Sequence, residues 1–377
     1  MKIDIIDSWS DLESLTDEWN RLLWDSHANT IFLTWEWVQS WMKVVGNSVH
    51  PFVVSVRDES GRLIGLAPFY MGEFRLLGTI PYRTLRIMAD YATGSEYPDW
   101  ISLKGREDEV YSLIAKTLSK LRSKWDCLWM KSMAGWTGAF ERIGQVCKQE
   151  GFYCHSRPVS FGFLYLSENA ERYLKSLSKN TREQLRRQVK KIFENNEIQI
   201  VHCQDMDDLP GFLDVLFDLH HRRWKQRGQQ GTFNKKPSEA LFYREFTKSA
   251  LQNGWLRLVG LKENGNFKAI QIGYVYNDIF HQIQEGFDPE YVPGVGNVLR
   301  LKVIEECIAE AVKAYDFLGD MTEHKRKWLA KERMGYDLFI GNPKIKNQIL
   351  FTKEIWPTGR FLRPSMLPTP SQKYPLG

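Results

Sequence analysis

Long apolar runs are missing from this 377-residue chain: none approaches the ~20 consecutive apolar residues that a membrane-spanning helix needs. The first residues, Met1-Lys2-Ile3-Asp4-Ile5-Ile6-Asp7, place aspartates where a secretory leader would carry an uninterrupted apolar stretch, so the expectation is a cytoplasmic protein. Cysteine is scarce. The five, Cys127, Cys147, Cys154, Cys203 and Cys307, are odd in number and form no CxxC pair, which argues against a disulfide framework and against a zinc site. A dominant charge is also lacking: 51 basic and 46 acidic residues leave a net +5. That excess is too small to mark a nucleic-acid binder, although it suits local handling of anionic ligands.

What is present is ordinary globular material, 43% hydrophobic and 26% charged, long enough for two domains that each bury a core. Two stretches resemble each other. Pro51–Val56, a polar turn through Gly61, and Leu63–Tyr70 read as a hairpin; so do Leu256–Leu261, a turn through Gly265, and Ala269–Tyr276. A helix pattern follows each, at 107–122 and at 296–313, and then a short strand, Trp125–Met130 or Ala314–Asp320. This repeated order implies a degenerate internal duplication, with chance similarity of two α/β units as the alternative. Helices are expected at 9–25, 32–41, 174–194 and 213–226, with Trp37 and Trp41 on one face. The join is expected near Ser156-Arg157-Pro158. This divides the chain into an N-terminal half, 1–157, a C-terminal half, 158–345, and a Pro-rich tail, 346–377.

The segment richest in chemical meaning is Asp288-Pro289-Glu290-Tyr291-Val292-Pro293-Gly294-Val295-Gly296-Asn297. A glycine loop that opens into a helix leaves backbone N–H groups free at the positive end of the helix dipole, where a phosphate can bind; an ordinary Gly-rich helix start is the plainer reading. The preceding strand carries Gly273, which suits a backbone approached by a ligand.

With the hairpin, this loop, the helix, Tyr315-Asp316-Phe317-Leu318-Gly319-Asp320 and Lys325-Arg326-Lys327-Trp328, the chain resembles the CelD/BcsL type, a cellulose-biosynthesis branch of the GNAT acetyltransferase superfamily. Phe32-x-Thr34-Trp35-Glu36-Trp37, Gly65-x-Ala67-Pro68 and Ser178-Lys179-Asn180-Thr181-Arg182 add to the likeness, which spans residues 1–345. The resemblance implies tandem GNAT-like α/β halves, each a mixed, mostly antiparallel sheet flanked by helices. It also implies an N-acyltransferase drawing on acetyl-CoA or another acyl-CoA, with no metal, and an amine acceptor such as an amino sugar or polysaccharide precursor. Residue by residue it places pantetheine along Gln271, Ile272 and Gly273, and pyrophosphate on Gly294, Val295, Gly296 and Asn297. The usual Arg or Gln at the start of the loop is absent, Tyr291 or Val292 standing there, and the first half has no matching glycine loop after Tyr97-Pro98-Asp99.

Acyl transfer to an amine requires loss of an amine proton, a donor for the oxyanion and an acid for the thiolate. Glu285 and Asp316 are candidate bases, each equally able to be a structural ion-pair partner; Tyr291 is a candidate acid; Lys325 is a further catalytic candidate, with Gln282, Gln284 and Asp320 also candidates near the expected split. The basic face of 182–191 and His220-His221-Arg222-Arg223-Trp224 remain without an assigned role; adjacent histidines on a helix point apart, which disfavours a metal there. Two alternatives stay open. One is a Fem-like transferase using aminoacyl-tRNA, a type with a long helical arm for which no segment here is long enough. The other is a non-catalytic protein that binds an anionic glycan.

Overall fold

A computed structural model describes residues 1–76, 80–90, 92–194 and 197–352. The chain forms two compact units, residues 1–159 with 334–377, and residues 160–333. Most of the Pro-rich tail, 353–377, lies outside the described residues.

The first unit is built on strands β1 (Lys2–Ile6), β2 (His50–Arg57), β3 (Leu63–Leu76), β4 (Ile80–Ile87), a two-residue β5 (Ile101–Ser102) and β6 (Cys127–Ala134). β1, β2, β3 and β4 lie side by side in that order, each antiparallel to the next. β6 then joins β4 in parallel, with Leu85 opposite Leu128. Parallel pairing requires a crossover, which helix α4 (Glu107–Lys120) supplies. The helices that open the unit are α1 (Trp9–Glu13), α2 (Thr16–Trp24) and α3 (Trp35–Val45). Thr34 caps α3 by accepting the Trp37 N–H, so the expected aromatic helix begins at Trp35, after a short 3-10 turn at Ile31–Leu33. Trp37 and Trp41 are fully buried, as a stripe at i, i+4 spacing requires. α5 (Ala139–Gln149) follows β6.

The chain enters the second unit within β7 (Tyr153–Tyr165), so Ser156-Arg157-Pro158 lies in a strand. The second unit continues with α6 (Ala170–Ser176), α7 (Lys179–Phe193), β8 (Ile198–His202), α8 (Leu209–Gln226), α9 (Thr232–Lys235) and α10 (Pro237–Gln252). It then runs through β9 (Leu256–Glu263), β10 (Asn266–Tyr276), β11 (Ile279–Phe287), α11 (Val295–Ala309), β12 (Ala314–Asp316) and α12 (Glu323–Lys327). β13 (Lys331–Gly341), antiparallel to β6, and α13 (Ile345–Thr352) return the chain to the first unit.

Strand order within the second unit repeats that of the first. β8-β9-β10-β11 is an antiparallel meander, and β12 joins β11 in parallel after the crossover helix α11. Each repeat is therefore four antiparallel strands, a crossover helix and a parallel strand; the sequence reading shows the hairpin but passes over β4 in the first unit. The fold class is tandem α/β halves with mostly antiparallel mixed sheets. No described helix is long and apolar enough to cross a membrane, and the longest, α8, has 18 residues.

The first unit buries a carboxyl, Asp99, which accepts the Trp100 N–H at 2.7 Å. Burial pushes it up from 3.8 to about 8. Its proton is kept in the folded state and released near pH 4 in the unfolded one, so this contribution to stability is complete below pH ~4 and is lost as pH rises through 8. Asp99→Asn, which can still accept from Trp100, should unfold near the wild-type temperature at pH 5 and above it at pH 8, as followed by circular dichroism. Equal wild-type and variant curves at pH 8 would remove this role.

Candidate active site at the split in the second sheet

β11 and β12 pair over three positions only, Ile279 with Ala314, Phe280 with Tyr315 and His281 with Asp316. β12 is turned away at once. The Asp316 carboxylate accepts the Leu318 N–H at 2.9 Å, and Leu318 and Gly319 both take positive φ. Lys325 on α12 donates Nζ to the Leu318 and Gly319 carbonyls. Phe317 N–H pairs instead with the Gly162 carbonyl of β7. From Gln282 onward, β11 has no strand partner on that side among the described residues. On its other side the ladder to β10 slips between Ile272 and Gly273, opposite Gln284 and Gln282, so Ile283 bulges.

The open edge therefore belongs to β11. Gln271, Ile272 and Gly273 sit on β10, whose two sides are both taken: Gln271 lies opposite Val259 and Glu285, Ile272 opposite Leu258 and Gln284, and Gly273 opposite Arg257 and Gln282. Gly273 owes its missing side chain to the Phe280 ring, which fills the space of a Cβ. The expected cofactor strand, β10, therefore offers no free edge at these three residues.

β11 leads into the glycine turn. Gly294, at φ +97°, is the N-cap of α11 and contributes no side-chain cap. The Asn297 and Val298 N–H groups bond back to the Gly294 carbonyl and Val295 N–H to that of Val292, while Gly296 N–H has no internal acceptor among the described residues. The first turn of α11 carries no acidic residue, whereas that of α4, its counterpart, carries Glu107, Asp108 and Glu109. Three carboxylates already use the positive end of the α4 dipole; that of α11 is left for an outside anion. The two glycines are also required by packing. The Gln188 side chain of α7 occupies the Cβ space of Gly294, and a Cβ on Gly296 would lie 3.0 Å from the Phe287 ring. The basic helix α7 is thus set against the turn through Gln188.

A polar network lies along the open stretch. Gln271 Nε2 donates to Tyr315 Oη (2.8 Å), Tyr315 Oη to Gln282 Oε1 (3.0 Å), and Gln282 Nε2 to Glu285 Oε2 (3.3 Å). Glu285 is held by two guanidiniums: Arg223 Nη1 of α8 at 2.9 Å from Oε1, and Arg300 Nη2 of α11 on Oε2. Burial pushes the Glu285 carboxyl up, but Arg300 and Arg223 outweigh it and the net direction is down, so it remains ionised. Arg300 Nη1 also meets His324 Nε2 at 2.7 Å; burial, then Arg300, holds that imidazole below its ordinary value and neutral. On the backbone side, His220 Nδ1–H donates to the Glu285 carbonyl while Nε2 accepts the Thr232 N–H, a tautomer that burial keeps uncharged.

The candidate residues thus separate. Glu285 and Gln282 are in the network. Asp316 shapes the turn and faces His281 Nδ1 at 3.4 Å. Tyr291 donates to Glu263 Oε1 at 2.7 Å with Lys268 over its ring, and Lys325 clamps carbonyls. Asp320 is exposed. Sequence reasoning did not single out Arg300 or His324, and it named Arg223 and Tyr315 only within longer segments, with no role at the site. One signal was available: Arg300 interrupts the apolar run Val298-Leu299-Arg300-Leu301, and a charge set among such residues demands a buried partner. No cluster of three or more His, Cys, Asp or Glu able to hold a metal occurs among the described residues.

Removing the charge of Glu285 leaves two buried guanidiniums facing each other, a loss of about 3–5 kcal/mol by the usual cost of breaking a buried pair. Glu285→Gln should lower the unfolding temperature at pH 7. Because the carboxyl is depressed in the fold, its contribution is present above pH ~4 and lost as pH falls, so wild type and variant should converge in acid. An unchanged unfolding temperature at pH 7 would show that the triad carries no net stability.

Residues 179–326 match the family model of the acetyltransferase (GNAT) domain. No match is found among curated proteins. Among solved structures, FemX superposes with a TM-score of 0.63 at 9% identity, over 94% of this chain and 100% of that one. A conserved protein of unknown function from Bacteroides thetaiotaomicron VPI-5482 superposes at 0.52 and 14% identity, over 90% and 100%. The C-terminal domain of a putative lysylphosphatidylglycerol synthetase from Agrobacterium fabrum superposes at 0.51 and 9%, over 91% and 96%. At such identities the likeness is one of fold. The split between β11 and β12, the uncapped turn and the arginine-held carboxylate all fall inside the segment that matches the acetyltransferase (GNAT) domain.

Proposed function

We propose that this protein is an N-acyltransferase of the CelD/BcsL-like branch that moves an acetyl or other acyl group from acyl-coenzyme A to an amine, an amino sugar or polysaccharide precursor being the acceptor class. The observation that carries the reading is the β11 edge. It loses its strand partner after His281 and leads, through the loop 288–294, to a helix start with neither a side-chain cap nor an acidic first turn. In this reading the pantetheine arm lies along the edge from Gln282, and Gly294, Val295, Gly296 and Asn297 receive the pyrophosphate. The donor brings a thioester carbonyl activated toward amines.

The chain's part is mostly positioning. The bulge at Ile283 re-aims backbone groups beside the place where the carbonyl would lie. Glu285, ionised and doubly paired, fixes Arg223 and Arg300 rather than taking the amine proton. Asp316 and Lys325 hold the sheet open by fixing the turn, and Tyr291 ties the approach to the glycine turn to β9 through Glu263.

Acetyl-CoA at ~100 times its dissociation constant should raise unfolding stability by about 2.7 kcal/mol, a rise of several degrees. Hydrogen–deuterium exchange should slow in 282–298. A stabilisation with protection elsewhere would move the donor site. No stabilisation by acetyl-CoA or longer acyl-CoAs would overturn the donor assignment in favour of the aminoacyl-tRNA or glycan-binding alternative.

A further inference from the structure

The arginine cluster is not balanced. One carboxylate, Glu285, faces two guanidiniums, and His324 beside them is neutral. Arg300, with its side chain 3% exposed, spends Nη2 on Glu285 and Nη1 on His324, stacks over Trp328 at 5.3 Å, and leaves a buried Nε with no acceptor. Arg223 spends only Nη1. Its Nε is buried without an acceptor, and no hydrogen bond of its Nη2 is recorded among the described residues. The Phe287 ring lies 4.6 Å from the guanidinium and holds its plane, while 18% of the side chain stays open to solvent. Nε and Nη2 form the side edge of the guanidinium, which matches the two oxygens of a carboxylate or phosphate. Buried donors without acceptors are costly, and two of them on adjacent arginines need an explanation. The direction of each charge agrees with this picture. Burial lowers both guanidiniums, but Glu285 restores Arg300 above its usual value and leaves Arg223 below it, with Arg227 adding to the deficit.

We propose that Arg223, backed by Arg300, is a recognition site for an oxyanion carried by the acceptor, so that the acceptor is an amine bearing a carboxylate or phosphate. The site flanks Gln282 and Glu285 on the open edge of β11, where an amine must stand to meet the acyl group, and the word acceptor rests on the acyl-transfer reading above. The amine is then held at two points, its anion on the Nε/Nη2 edge and its nitrogen toward the bulge, which disfavours neutral amines by leaving those two donors of Arg223 without an acceptor.

Titration calorimetry with the full chain and no acyl-CoA tests this with matched pairs: glucosamine 6-phosphate against glucosamine, and glycine against glycine methyl ester. The anionic member of one pair should bind about ten- to hundredfold tighter, the range of a charge-assisted hydrogen-bond pair, and the pair that shows the preference identifies phosphate or carboxylate. Arg223→Gln should abolish the preference and Arg223→Lys should retain part of it, both keeping the wild-type circular dichroism spectrum. Equal affinities within both pairs, or a preference that survives Arg223→Gln, overturn the site. Competitive displacement of the probe by coenzyme A assigns the arginines to the donor and overturns the acceptor role. An anion preference without any stabilisation by acetyl-CoA would remove the transferase reading while leaving the oxyanion site standing.

Discussion

The second unit depends on how briefly β12 stays beside β11. Three paired residues are enough to register the parallel strand, and Asp316 then turns the chain by accepting the Leu318 N–H. Lys325 closes the same turn on two carbonyls, and Phe317 is handed to Gly162 of β7. A sheet strand without a neighbour is normally a hazard that proteins cover or pair. Here it is kept inside a folded unit, between α8 on one side of the strand and α11 on the other, and polar side chains gather along it.

That location explains why so much charge is buried at one place. Glu285 is ionised because two arginines approach it from different helices, α8 and α11, and Arg300 in turn lies between Glu285, His324 and the Trp328 ring. Buried ion pairs are weak sources of stability compared with apolar packing, so a triad in this position points toward binding or orientation. His220 adds a second tie by anchoring the Glu285 carbonyl to α8 and the start of α9. The same strand thus has its backbone fixed from α8 and its side chain fixed from both helices.

The two units share a strand order yet differ where ligands would matter. In the first, Arg86 and Asp90 pair near the end of β4, and Glu107, Asp108 and Glu109 occupy the start of the crossover helix. In the second, the equivalent helix begins with glycine and has no acid in its first turn. Electrostatics at a helix terminus distinguishes the halves more sharply than topology does.

Much of this was legible in the residues. The repeated hairpin, helix and strand, the aromatic face at Trp37 and Trp41, and the glycine turn before α11 follow from periodicity, spacing and backbone freedom, which are local properties. The strand β4, the pairing of both sides of β10 and the open edge of β11 were not legible, because strand neighbours are chosen by long-range pairing that no local pattern encodes. Nor was the fate of each candidate: Tyr291 is taken by Glu263, Lys325 by two carbonyls, and Glu285 by arginines 62 and 15 residues away in sequence. The amino-acid sequence alone determined the two-fold α/β plan and the helix start able to meet an anion. Only the tertiary structure decided which strand lies open and which charges meet there, since burial and ion pairing arise when distant segments exclude water together.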